Sequence, residues 1–222
     1  MFPDGRRYPS VTAVLNLLAR PALDRWRMMQ ALEAARQVLM GTLGRPLQPE
    51  TVDLALEEAL RRPDALRDGA ARWGSGIHRY IETGEVDKAP RHLQRGLTEA
   101  LKFIEGLNPL ARFSEHLVVS DALQVAGRLD LALWTARGWT LLDIKTGQPR
   151  LEHRLQLGGY SACIAEATGC PVTAAYLVRL PRDGRPLEVH PVDGLPRWQE
   201  AFGHLAQLFW LLRGVGEGAA GL

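Results

Sequence analysis

The chain has 222 residues, 27 of them basic and 25 acidic, for a formal net charge of +2. That length can bury a substantial core, and so small a basic excess leaves any polyanion to be met by a local patch rather than by overall charge. The two cysteines, Cys163 and Cys170, form neither a disulfide framework nor a zinc spacing; no run reaches the roughly 20 apolar residues of a membrane span, and MFPDGRRYPS lacks a signal-peptide core, so a reduced, cytoplasmic setting is expected.

The first third reads as helical. Ser10 is placed to cap a helix over residues 11–19, and Pro21 opens a second helix running to about Met40. GTLGRPLQP, residues 41–49, is a loop, and residues 50–62 read as a third helix with Val52, Leu54, Leu56 and Leu60 apolar. Arg20, Arg25 and Arg27 are read mainly as a solvated face, with phosphate contact as the alternative. Residues 1–62 are expected to form a helical cap or gate, residues 63–213 the core and residues 214–222 a flexible tail.

A helix from Pro63 to Thr83 carries Trp73, Ile77 and Ile81 as an apolar stripe, and beside it a second stripe of Gly74, His78 and Glu82. An interior glycine costs about 1 kcal/mol against alanine, so Gly74 and Gly76 invite a reason such as close approach of a strand or a phosphate. His78 and Glu82, one turn apart, could offer an imidazole and a carboxylate to one place, or be satisfied residues of an ordinary helix. A further amphipathic helix follows over residues 92–107. The strand at residues 113–119 holds Glu115, which is either a polar residue at the strand's entry or another carboxylate of a site.

Two alternating stretches, residues 124–134 and 139–145, then read as a hairpin. Arg128 and Asp130 point away from Val125, Leu129, Leu131 and Leu133; on the second strand Leu141, Asp143 and Lys145 oppose Leu142 and Ile144. Antiparallel pairing lets Asp130 and Asp143 converge with Lys145 beside them. Two carboxylates drawn together away from water repel, and a divalent cation removes that cost. Lys145 is one of only three lysines among the 27 basic residues, which suggests a compact charge able to shift its pKa where a guanidinium could not. A plain Asp–Lys ion pair is the alternative, and the metal reading is preferred because Asp130 joins across the hairpin.

Thr146 to Pro149 breaks the chain before a helix beginning near Leu151, on which His153, Gln156 and Tyr160 share a face. Arg150 and Arg154 bracket its first turn, where unpaired N–H groups favour an anion. Ordinary packing with a polar outer face is the alternative to a phosphate and base contact surface, and the latter is preferred because the helix departs from Lys145. Residues 172–179 and 186–190 read as two more strands, and residues 198–212 as a last helix.

The ordered motifs resemble the PD-(D/E)XK nuclease superfamily in its RecB-like exonuclease branch. They are Gly74, His78 and Glu82; Gly127 and Asp130; Asp143, Lys145 and Gly147; and Gln156 with Tyr160. PSVTAVL and LDRW near the start are similar to phage and mitochondrial single-strand exonucleases of that branch. The resemblance implies an α/β, restriction-endonuclease-like core with a central mixed sheet flanked by helices. It implies Mg²⁺ or Mn²⁺ held by His78, Asp130, Asp143 and the Ile144 carbonyl, with Lys145, Asp130 and Asp143 catalytic; Glu82 of the first motif, and Glu115 in its carboxylate reading, would be supporting acids. Gln156, Tyr160, Arg128, Arg150 and Arg154 would meet DNA. Relatives with an iron–sulfur cluster use four cysteines, so no cluster is expected with two. The function so implied is metal-dependent hydrolysis of DNA, preferentially single-stranded, with a helicase or recombination protein as a candidate partner and no membrane. A non-catalytic nucleic-acid-binding subunit is the rival, and a metal hydrolase of other phosphate esters the third reading.

Overall fold

The structure, a computed structural model, describes residues 7–18 and 21–219. Its residues cluster into two units: one built on the sheet, comprising the chain up to Leu17 and from Ile77 onward, and a helical one, Leu18–Gly76.

In the helical unit α2 (Pro21–Met40) starts on Pro21, a position whose missing N–H costs a helix nothing, and pairs with the first part of α3 (Pro49–Thr83). Buried Ala34 and Ala55 belong to this pair, Arg62 Nη1 donates to Gln37 Oε1 at 2.8 Å, and Arg27 meets Asp64 at 3.2 Å. Arg27 is thus a partner within the helix pair, while Arg20 and Ala19 lie outside the described residues. The two helices expected on either side of Pro63 are one continuous helix of 35 residues, and the expected boundary between residues 62 and 63 falls inside it. A proline in a helix interior removes one hydrogen bond and costs about 3 kcal/mol, and the Ala-, Leu-, Glu- and Arg-rich turns on both sides outweigh it. At Gly74 and Gly76 a Cβ would stand in open space apart from the helix's own backbone, so local packing gives neither glycine a reason.

The sheet unit begins with α1 (Val11–Leu15), shorter than expected, whose Ser10 side chain accepts from the Ala13 N–H at 3.0 Å. After α3 comes α4 (Arg91–Gly106), which buries Leu93, Leu97, Ala100 and Ile104 at helical spacing. Five strands follow: β1 (Pro109–Ser120), β2 (Val125–Thr135), β3 (Gly138–Lys145), β4 (Val172–Arg179) and β5 (Glu188–Pro191). Their spatial order is β1-β2-β3-β4-β5, antiparallel throughout except for the parallel pair β3 and β4. A parallel pair needs a crossover, which α5 (Leu151–Thr168) supplies. The last helix, α6 (Leu195–Ala219), continues through the stretch expected to be a flexible tail as far as Ala219. It comes so close to α5 that a Cβ at Gly158 would stand 2.4 Å from the Trp198 carbonyl oxygen, and one at Gly159 2.9 Å from the Phe202 ring. The glycines inside α5 therefore have a packing reason. Among the described residues no helix is long and apolar enough to cross a membrane.

Candidate metal centre

The β2–β3 ladder is regular up to Leu131 opposite Leu142 and then stops. Beyond that point the Ile144 N–H, instead of reaching a carbonyl of β2, donates to Asp130 Oδ2 at 2.6 Å. The side chain of Asp130 is thereby fixed at the point where the strands part. On the other side of β2, Glu115 falls between the paired residues Ser114–Leu131 and His116–Leu129, opposite Asp130, with a left-handed φ of +48°. Such a backbone costs roughly 1–3 kcal/mol in a residue other than glycine and persists only where its surroundings hold it.

The C-terminal part of α3 brings His78 to these acids. Its Nδ1 lies 3.0 Å from Glu115 Oε1, and its Nε2 lies 3.3 Å from the Ile144 carbonyl oxygen and 3.5 Å from Asp130 Oδ2. A carboxylate can only accept, so Nδ1 carries the proton shared with Glu115. Nε2, Asp130 Oδ2 and the Ile144 oxygen then converge as three acceptors, reconciled either by a second ring proton or by a cation. One ligand atom each from His78, Glu115 and Asp130 lies within 4.8 Å of the others, as a metal ion would require. A histidine whose far nitrogen is held by a carboxylate is the usual arrangement behind a metal-binding imidazole.

Asp143 has Lys145 beside it and feels the charge of Asp130. It is 1% exposed, and its Oδ1 accepts from Lys145 Nζ at 2.6 Å. Its Oδ2 is buried with no hydrogen-bond partner among the described residues. Burial pushes this carboxyl up to about 6, with the Lys145 charge pulling it down and the Asp130 charge adding to the rise. A buried carboxylate oxygen left unpaired is costly, and an adjoining cation would satisfy it. Burial works to lower the Lys145 pKa, but Asp143 and Asp130 outweigh it, so the ammonium is held above its usual value and Lys145 is a fixed cation.

On α5 the expected shared face exists but is divided. Tyr160 is buried, with its hydroxyl donating to the Arg128 carbonyl oxygen at 2.8 Å and receiving a hydrogen bond from Gln156 Nε2 at 3.0 Å. Its ring fills the space a side chain at Gly127 would occupy, since a Cβ there would stand 2.5 Å from Tyr160 Cε1. Tyr160 thus fastens α5 to β2, and Gln156 braces it. Arg128, Arg150 and Arg154 are exposed, and Arg154 stacks 5.8 Å over the Trp198 ring. His153, expected on the contact face with Gln156 and Tyr160, lies beside Asp143 and Lys145. Its Nδ1 accepts from the Arg150 N–H at 3.1 Å, which directs its proton to Nε2, and burial followed by the Lys145 charge lowers its pKa, so the ring beside Asp143 and Lys145 is neutral.

Glu82 does not join the cluster. It is exposed one turn beyond His78, and its charge acts on Arg112. Glu115, left open between two readings, is the acid that meets His78.

No curated protein matches the chain. Among solved structures, the crystal structure of SSO0001 is similar over 81% of this chain and 84% of that one, at 15% identity and a TM-score of 0.39, a likeness too weak to build on. A family model for the PD-(D/E)XK nuclease superfamily matches residues 27–218, and the mixed five-stranded sheet flanked by helices is that of a restriction-endonuclease-like fold. The chain belongs to the PD-(D/E)XK nuclease superfamily.

Proposed function

We propose that this protein is a divalent-metal-dependent deoxyribonuclease, working as an exonuclease with a preference for single-stranded DNA in repair, recombination or replication. The observation that carries the reading is the convergence of His78 Nε2, Asp130 Oδ2 and the Ile144 oxygen beside a buried, half-satisfied Asp143. These four residues would hold Mg²⁺ or Mn²⁺, with Glu115 orienting the imidazole or adding an oxygen. Such an ion supplies Lewis acidity and a water of lowered pKa. The protein's own part is electrostatic. Lys145 keeps a permanent positive charge where phosphate charge would build up, Asp143 fixes that ammonium at 2.6 Å, and the neutral His153 adds a donor beside it without adding repulsion. Arg128 and Arg150 are exposed and suited to phosphate. The exonuclease mode, the single-strand preference and a helicase or recombination partner rest on the resemblance of the sequence motifs to the RecB-like branch, and the helical first third suits a gate for a single strand.

Single- and double-stranded DNA labelled separately at each end, incubated with Mn²⁺, Mg²⁺ or EDTA, tests this. The expected outcome is stepwise loss from one end of the single strand in either metal, with manganese at least comparable, and none in EDTA or with Lys145→Ala. Metal-independent binding with no cleavage by the wild-type protein would favour a non-catalytic nucleic-acid-binding subunit and overturn the enzymatic reading.

A further inference from the structure

Arg112 stands on β1 three residues before Glu115, and Ile81 on α3 three residues after His78. The Arg112 guanidinium donates through Nη2 to the Ile81 carbonyl oxygen. Ile81 lies in the final turn of α3, where carbonyls have no partner within the helix. There Gly84 N–H satisfies the Tyr80 carbonyl at 2.9 Å and Arg112 satisfies that of Ile81. Arg112 is exposed overall, but desolvation lowers its pKa, and the Glu82 charge counters only part of that.

Helix and strand are therefore joined twice, once through His78 and Glu115 and again, about one turn further along, through Ile81 and Arg112. A single imidazole–carboxylate contact leaves a helix free to roll about that contact. A second fastening, at a rise of about 4.5 Å along the axis, removes the roll and sets how far the imidazole reaches toward Asp130 and the Ile144 oxygen. A guanidinium suits this place because it stays charged when partly desolvated and offers several donors in a fixed plane.

We infer that Arg112 is a positioning residue for the metal centre, clamping the end of α3 onto β1 so that His78 meets Glu115 and Asp130 together, and that the exposed Glu82 is not a metal ligand. The inference rests on the metal-centre reading given under Proposed function.

Calorimetric titration of Mn²⁺ into the full chain, with thermal melts in EDTA run in parallel, tests it. Arg112→Met keeps the length of the stem and removes the donors, and is expected to weaken Mn²⁺ binding by about tenfold or more, the usual size for residues that orient a ligand. Arg112→Lys, with one donor group restored, should recover part of this, and Glu82→Gln should cost about twofold, as befits an exposed charge. A merely structural arginine would lower the melting temperature and leave the Mn²⁺ affinity of the folded protein unchanged; that result overturns the inference. So does a larger loss from Glu82→Gln than from Arg112→Met, which would make Glu82 a ligand. Should Arg112→Met not fold, Arg112→Lys and Arg112→Gln decide, and wild-type affinity in both refutes the clamp. A wild-type protein that takes up no Mn²⁺ removes the metal centre itself. Intact Mn²⁺ binding and sensitivity to Arg112, without DNA cleavage, would leave the clamp standing and remove only the nuclease assignment.

Discussion

Replacing Lys145 by methionine should destabilise the protein in a way that depends on pH, because it strands Asp143. The Nζ–Oδ1 contact is 2.6 Å, Asp143 is 1% exposed, and its other oxygen has no hydrogen-bond partner among the described residues. Removing one partner of a buried pair costs about 3–5 kcal/mol, and in a protein of this size each kcal/mol moves the midpoint by about 2–4 °C, so a fall of roughly 6–20 °C is expected at pH 8. The Asp143 carboxyl already sits raised at about 6 against an ordinary value near 4. For an acid whose folded pKa lies above its unfolded one, the folded state binds more protons between the two, so the contribution is intact below about pH 4 and is lost as pH rises through about 6, to the extent of roughly 3 kcal/mol. Without Lys145 the carboxyl rises further and the loss extends to higher pH, while at pH 5 Asp143 is protonated with or without the lysine. Melts followed by circular dichroism in EDTA at pH 5 and pH 8 should show the Lys145→Met deficit at pH 5 less than half that at pH 8. The double variant Asp143→Asn with Lys145→Met should recover most of the pH 8 loss. An equal deficit at both pH values would refute the reasoning.

Saturating Mn²⁺ should stabilise the protein by about 2.7 kcal/mol at a hundredfold excess over its dissociation constant, a gain of roughly 5–11 °C that EDTA reverses and Asp130→Asn abolishes. Tyr160→Phe removes the hydrogen bond to the Arg128 carbonyl oxygen and should cost about 1 kcal/mol in urea melts, while DNA affinity measured by fluorescence anisotropy stays within a factor of two. A tenfold loss of DNA affinity would return Tyr160 to the binding surface. Gly158→Ala places a methyl 2.4 Å from the Trp198 carbonyl oxygen, which backbone cannot easily yield, and should cost about 1–3 kcal/mol; a neutral result in the same melts would mean that α5 and α6 separate freely.

The hairpin that carries Asp130, Asp143 and Lys145 was legible because alternation over the two short strands fixes which side chains share a face, and a tight turn brings them together. Which acid meets His78 was not, since Glu115 lies 37 positions away and its direction depends on a left-handed backbone that no local pattern announces. Pro63 misled for the opposite reason, a strong local signal overridden by helix-forming turns on both sides. For Tyr160 the period of the helix showed the face but not what that face would meet. The missing side chain at Gly127, a member of the same motif set, was the available sign that an aromatic ring lies there.

Asp130 closes a gap in the backbone of the sheet through the carboxylate that also faces His78. An inactive control for this protein should accordingly carry asparagine there, which retains an oxygen for the Ile144 amide, whereas alanine would unpair the strand end and confuse a lost reaction with a loosened scaffold.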